Sequence, residues 1–555
     1  MSGEMRLRQL ILAVVALGGI WLAIAVQHGG QSAPTRAPFA AGPAPGDFPA
    51  PQKPKLIRVP GLARPAAAAP IAVKTRPARA RVHAAVTKAK PVRRRHLKAR
   101  PARQRSEPGG TEIVPEDTRD YAETSPPPLE PLEITQVQVS ALTSSSARIT
   151  WQTNVPTLEQ TAFGLDAPTI WTAPSAAVRI DHESVVTGLE HSTSYTAWVH
   201  AVDEWNRAQT ANVQFTTGPM LDASQARTNG GAIYVDDRPF FPVAVWEQCS
   251  DMFNSNIEDG INLFMGDGCK NDTMLPERLG GRAYSIVDSE NANATGRGVI
   301  GWYFPDEWDA FLQSNVKRED LADDIPSPRP GRISFLTLTN HFYSKAEPLP
   351  QGKGMYPVLF QIPDVLGFDL YPLQVWCRPA FGDVFDSQHE LRERTGKPTF
   401  QWIEVARMEQ PCRNHAELDP TPETVRAETF LSIGGGATGV GYFPNYWSDA
   451  IGDEIARANR QIKALTQALL APSVNATSDN GAVRVSARSL NGALYVIAVN
   501  TTTTTIQAKI NVEGISGRSA MPLDGDGAVA SADQGFSAGF GPRAARVYII
   551  PPAGW

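Results

Sequence analysis

The spacing of apolar and polar positions changes character four times along the chain, and each change marks a boundary. Leu10–Val26 is an unbroken apolar run, LILAVVALGGIWLAIAV, preceded by Arg6 and Arg8. Residues 27–130 show no hydrophobic period; Pro, Ala and Arg dominate, and such a stretch cannot build a core. From 131 to 218 apolar and polar residues alternate in short runs, the period of half-buried strands. ARITWQT puts Ile149 and Trp151 on one face, and SYTAWVHAV does the same for Tyr195, Ala197, Val199 and Ala201. From 219 to 471 short apolar runs alternate with helix-period segments. Eight strands are predicted: FPVAVWEQ, INLFMG, AYSIVD, VIGWYFPDE, RISFLTLTNHF, VLGFDLYPL, PTFQWIEV and TGVGYFP. Helical patterns follow several of them, among them FDSQHELRERTG, TPETVRAETFLSIGGG and DAIGDEIARANRQIKALTQALL. From 472 to 555 period two returns in AVRVSARS, ALYVIAVN, TIQAKINV and ARVYIIPP.

Eight buried strands in some 250 residues, each followed by a helix or loop, predict a (β/α)8 TIM barrel over 219–471. The third and fifth crossovers carry the weakest helical pattern. The closing segment, 472–555, reads as a small C-terminal β-sandwich, with Thr501–Thr505 a loop or edge strand. The segment 131–218 resembles a fibronectin type III domain. Trp151 on the second strand and the corner formed by Leu189, Thr193 and Tyr195 carry that resemblance, which covers about 90 residues and implies a β-sandwich fold with no particular function. The chain is thus expected to be multidomain, with 1–26 a signal peptide or membrane anchor and 27–130 a disordered basic linker.

Charge sharpens this division. Residues 48–106 hold 17 Lys or Arg and no Asp or Glu; setting that +17 apart from the formal −5 of the whole chain leaves −22 for the other 496 residues. An acidic body argues against nucleic acid as partner. The basic linker suits contact with anionic cell-wall polymer or lipid headgroups, or serves only as a soluble spacer. Residues 10–26, with cations before them, direct the rest out of the cell whether or not Ala23-Ile24-Ala25 is cleaved. An extracellular or cell-surface location follows, and it permits disulfides. The four cysteines allow three pairings; Cys249 with Cys269 and Cys377 with Cys412 are the simplest. No Cys-x-x-Cys or His-rich tract is present, so no metal and no cofactor is expected.

The candidate chemistry lies at strand ends, where TIM barrels place their reactive groups. The fourth strand ends in Asp306 and Glu307, the seventh in Glu404, and both ends carry Trp. Two carboxylates facing each other across a barrel mouth, one protonated and one ionised, are what glycoside cleavage requires, and aromatic faces stack on sugar rings. Trp246, Trp302, Trp308, Trp402 and Trp447 are candidates for that lining. Glu247, Asp306 and Asn340 are expected to bind substrate; at the end of strand five, Asn340 and His341 either do so or form a plain loop.

With these residues the region resembles clan A of the glycoside hydrolases, over about 250 residues. The resemblance implies an acid/base at Glu307, a nucleophile at Glu404, and a retaining two-glutamate hydrolysis of a poly- or oligosaccharide. Within FDLYP it implies a site role for Tyr371; Asp369 either orients Tyr371 or simply ends its strand. The clan's Asn before the acid/base is Asp306 here, so its contact to the sugar differs. Arg407 or Tyr371 would keep Glu404 ionised. An alternative reading is a cell-surface barrel that binds carbohydrate without cleaving it. Sugar, linkage, endo or exo action and oligomeric state are not written in these patterns.

Overall fold

In a computed structural model of the chain, the described residues are 130–408, 412, 415–525, 529–531 and 534–555. The apolar segment 10–26 and the linker up to residue 129 lie outside them. No described helix is long and apolar enough to cross a membrane.

The first described region is antiparallel. Strand Ser146–Gly164 is 19 residues long; its first half pairs with Ile134–Ser140 and Arg179–Thr187, and its second half with Ile170–Trp171 and Ser194–Val202. Ala208–Thr216 adds to Ser194–Val202. The predicted faces are buried: Ile149, Trp151, Ala197, Val199 and Ala201 are all at most 2% exposed. The Tyr195 hydroxyl accepts the Glu190 peptide N–H at 3.0 Å, tying the strand to the turn before it.

Eight parallel strands then close a barrel. They are Val243–Trp246, Leu263–Met265, Tyr284–Asp288, Val299–Tyr303, Ile333–Thr339, Val365–Asp369, Thr399–Glu404 and Gly439–Phe443, one inside each predicted segment. Their connections vary as the pattern suggested. After strand three comes only the 3-10 turn Ser289–Asn291, and after strand five a 3-10 turn and the short helix Tyr356–Leu359. After strands six, seven and eight come the long helices Phe381–Thr395, Pro422–Gly435 and Asp449–Leu469. Thr421 caps the middle one, accepting the Thr424 N–H, with Pro422 at its first position, where no N–H is missed.

The barrel is filled by unequal side chains. Phe400 and Trp402 project from strand seven into its interior, and strands six and eight answer with Gly367 and Gly441. A Cβ at Gly441 would come within 2.3 Å of the Trp402 ring, and one at Gly367 within 2.0 Å of Phe400. Trp402 Nε1 donates to Thr337 Oγ1 at 3.1 Å, so the indole is satisfied where water cannot reach it. The far end is closed by the small sheet Ala226–Asn229, Ala232–Val235 and Arg238–Phe240, whose Ile233, Val235 and Phe240 join the interior cluster. The sequence reading had not separated that sheet from the barrel.

Two further sheets end the chain: Val483–Leu490, Ala493–Asn500 and Ala545–Ile550 lie in one, Ala476–Ser478, Ile506–Val512 and Gly535–Phe540 in the other. Val496, Ala498 and Tyr548 from the first share an apolar cluster with Ile510, Phe536 and Phe540 from the second. Residues 501–505 form a loop. Asn491 Nδ2 donates to the Trp171 carbonyl at 2.7 Å and the Tyr495 hydroxyl to the Thr169 carbonyl at 2.8 Å, binding this region to the first one.

Candidate active site

At the C-terminal end of the barrel, acidic side chains from strands one, four and six converge. Glu247 follows strand one and Glu307 follows strand four, and both sit at positive φ, 41° and 48°. That left-handed backbone disfavours any residue with a Cβ and survives where the surroundings impose it. At Glu307 one clamp is visible. Asp309, two residues on, is wholly buried; it accepts the Thr339 N–H at 3.0 Å, the Thr339 hydroxyl at 2.5 Å and the Tyr356 hydroxyl at 2.7 Å. The turn after strand four is thereby pinned to strand five.

The carboxyls influence one another. Glu307 is pushed up to about 8, first by removal from water and then by the charges of Asp306 and Asp309. It shares a side-chain hydrogen bond with Asp369, at the end of strand six, in which Asp369 is the donor: the bond lowers Glu307 and raises Asp369. Two carboxyls can share such a bond only if one carries a proton. Asp369 is itself raised well above the usual carboxylate range by burial and by Asp306 and Glu307. Asp306 is raised to about 7, by desolvation, then by Glu247 and Asp309. Yet Asp306 touches solvent, whereas Glu307 is half-buried.

Aromatic rings pack beside these carboxyls. Trp246, half-buried, packs edge-on against Tyr303 at 4.8 Å and Trp402 at 6.1 Å. Tyr371 stacks on Phe443 at 5.9 Å, and its hydroxyl donates to Asp369 at 3.3 Å. Asp369 therefore does hold Tyr371. The Tyr303 hydroxyl donates to Asp272 at 3.1 Å.

Glu404 has other company. It is fully buried; Oε1 accepts the Leu373 N–H and Oε2 the Gln374 N–H, both at 2.8 Å. It lies against Glu428 of the helix Pro422–Gly435. Burial raises it to about 7, while the two peptide donors pull the other way. The two groups expected to keep Glu404 ionised are engaged elsewhere. Arg407 forks onto Asp419 at 2.7 and 2.5 Å on the surface, and the Tyr371 hydroxyl serves Asp369. Arg407 is near Glu404 along the chain, but the loop after strand seven carries it outward.

The expected site residues thus divide. Trp246, Glu247, Asp306, Glu307 and Tyr371 come together, with Asp369 among them. Trp308 is 7% exposed and stacks on Phe304 at 5.5 Å in the apolar core, so it supports the helix start and does not line the mouth. Trp302 packs with Val287 and Ala292 in a separate small cluster. Trp402 fills the barrel below Trp246. Trp447 is half-buried, donating from Nε1 to Asp259 at 3.2 Å. Asn340 is buried, and His341 Nδ1 meets the Glu347 carbonyl at 2.6 Å. Asp309 and Tyr356 were missed, although Asp309 closes the same PDEWD stretch as Glu307. Glu428 was missed too, lying inside a helix pattern with no local sign of its partner.

Both expected cystine bridges are present, Cys249–Cys269 and Cys377–Cys412. Each ties the turn after one barrel strand to the turn after the next. Among the described residues no three His, Cys, Asp or Glu side chains are grouped as metal ligands. Two cavities of about 600 and 810 Å3 lie away from the mouth: the smaller between the barrel helices and the last region, the larger where the helix Asp449–Leu469 meets the first region. Neither is lined by Asp306, Glu307 or Asp369.

No family model and no curated protein matches the chain. Among solved structures it is similar to a protein assigned as an alpha-galactosidase/melibiase from Bacteroides fragilis, at 11% identity and a TM-score of 0.39, over 76% of this chain and 98% of that one. An endoxylanase from Clostridium papyrosolvens is 12% identical with a TM-score of 0.36, over 59% and 97%. An alpha-amylase from Geobacillus thermoleovorans, complexed with acarbose, is 10% identical with a TM-score of 0.37, over 55% and 91%.

Proposed function

We propose that the protein is an exported glycoside hydrolase of poly- or oligosaccharides and that Glu307 is its proton donor. The observation that carries this is the state of Glu307 at the barrel mouth: raised to about 8 by burial and by the charges of Asp306 and Asp309, with Asp369 and Tyr371 beside it. A departing sugar oxygen needs a carboxylic acid that still holds its proton near neutral pH, and desolvation beside like charges provides one.

The second carboxylate must be ionised. The retaining two-glutamate mechanism assigns this to Glu404, and in that mechanism Glu404 must release an oxygen from Leu373 or Gln374 to reach the sugar. Asp306 meets one peptide N–H, that of Glu307, and still faces water. It is the open carboxyl of the group, and negative charge resides at lowest cost where water can still solvate it. We assign the ionised role to Asp306 in the resting geometry. Product stereochemistry then tells whether it attacks the sugar, giving retention, or activates water, giving inversion.

Export rests on the apolar run 10–26 and on the two disulfides. The first region is read as a fibronectin type III-like module and the last as a β-sandwich, both packed on the barrel, with the basic linker available for anionic wall polymer or lipid. The test is release of reducing ends from a panel of polysaccharides, with Glu307→Gln as control. Cleavage by the parent and none by the variant supports the reading. Binding of a polysaccharide without cleavage on any substrate would replace it with the carbohydrate-binding barrel.

A further inference from the structure

Glu404 and Glu428 form a pair of carboxyls in a part of the molecule that water does not enter. Both side chains are at most 1% exposed. Two adjacent carboxylates cannot both remain ionised there, so the pair holds one proton. The donors decide where the charge sits. Glu404 receives two peptide N–H groups at 2.8 Å, while neither Glu428 oxygen has a hydrogen-bond partner of ordinary geometry. The charge therefore belongs on Glu404 and the proton on Glu428, whose other charged neighbour is Arg543.

The N–H groups that Glu404 holds belong to the turn after strand six. That turn winds tightly: the Val375 and Trp376 N–H groups both donate to the Tyr371 carbonyl, at 3.1 and 3.0 Å. The Gln374 side chain accepts the Met408 N–H at 2.7 Å and donates to the Leu418 carbonyl at 2.8 Å, and Cys377 is bridged to Cys412. Tyr371 at the start of the turn bonds Asp369, and Asp369 bonds Glu307. A continuous line of contacts thus runs from the end of strand seven to the candidate proton donor.

We propose that Glu404, backed by protonated Glu428, is a positioning residue: it fixes the turn Tyr371–Cys377 through the peptide N–H groups of Leu373 and Gln374 and so sets the Tyr371–Asp369–Glu307 arrangement. The inference rests on the glycosidase reading for its kinetic readout and on geometry alone for its structural one.

The test uses the full chain and the variants Glu404→Gln, Glu404→Ala, Leu373→Pro and Glu428→Gln. In Glu404→Gln the new amide has one acceptor oxygen and presents an NH2 to the other peptide N–H, so hydrogen exchange at Leu373 and Gln374 should quicken at least tenfold. On a substrate the parent cleaves, kcat should drop on the order of 100-fold with KM little changed, the scale of a small misplacement of catalytic groups. The alkaline limb of the pH profile should shift as Glu307 loses its fixed partner. Leu373→Pro removes one donor while leaving Glu404 intact and should reproduce the kcat loss. Glu428→Gln copies the protonated acid and should keep the parent's exchange and rate. Complete loss in Glu404→Gln with unchanged exchange, and rescue of Glu404→Ala by azide, would overturn the proposal in favour of a nucleophile. Parent-like exchange and rate in Glu404→Gln would overturn it also. If the parent cleaves no glycoside, the functional reading fails, while the exchange measurement still decides the positioning role.

Discussion

The ends of barrel strands four and seven look alike as sequence and differ as surroundings. Each carries a glutamate beside a tryptophan, at the rim where barrels place their chemistry. Glu307 is half-open, strained in backbone, and faces Asp306 and Asp369. Glu404 is sealed, with both oxygens occupied by peptide N–H groups. The difference teaches that position in a barrel nominates a residue, and that its hydrogen-bond partners decide what it is free to do. A carboxyl crowded by other carboxyls keeps a proton to give; a carboxyl saturated by amides keeps its charge and holds backbone.

The comparison breaks most sharply by substitution. Glu307→Gln should lower turnover by about 10^3-fold or more, within the range for a lost general acid, measured as reducing-end release. Glu404→Gln should cost about tenfold less than that; an equal or greater loss would erase the distinction between the two ends.

The pH profile sharpens it further. Glu307 must be protonated and Asp306 ionised, so activity should fall as pH rises through about 8 and as it drops below about 7. The same shifts bear on stability. Asp306, Glu307 and Glu404 all titrate higher when folded than the ordinary values of 3.8 for Asp and 4.5 for Glu. The unfolded chain thus releases these protons first, and stability should decline as pH rises from about 4 to about 8. Melting temperatures at pH 5 and pH 9 check the sign, and Glu404→Gln should flatten the slope.

How much of this was legible in the sequence follows from the range of each interaction. Strand positions were legible because burial on both faces leaves continuous apolar runs, as in ISFLTLT and VLGFD, and each predicted segment contains an observed strand. The cystine pairs were legible because each joins consecutive strand ends. The Glu307 site was half legible. Asp306, Glu307 and Trp246 stand at recognisable strand ends, but the bond to Asp369 comes from two strands further along the chain, and the left-handed backbone leaves no mark on a Glu. Glu404 was legible as a strand end only. Its two N–H partners come from a turn 31 and 30 residues earlier, and Glu428 is one acid among several on its helix. Trp308 and Arg407 misled for the same reason: neighbourhood along the chain does not tell which way a side chain turns.

Two smaller effects bound the site. Opening Cys377–Cys412 by a double Cys→Ala change removes a link between positions 35 residues apart and should cost about 4 kcal/mol, read by denaturant unfolding. It should also quicken exchange in the Tyr371–Cys377 turn. Removing residues 1–129 should leave melting temperature and turnover unchanged. Glu130 should be kept, because its carbonyl accepts the Arg207 guanidinium at 2.5 Å. A drop in either quantity would show that the linker packs on the body.

The central claim, that Glu307 donates the proton, is tested most directly by Glu307→Ala on a pair of aryl glycosides whose leaving groups differ in acidity. Departure of a strongly acidic phenol needs no proton, so the variant should retain much of the parent's rate on that substrate and lose about 10^3-fold on the poorly acidic one. Equal losses on both substrates, or full activity on both, would contradict the assignment.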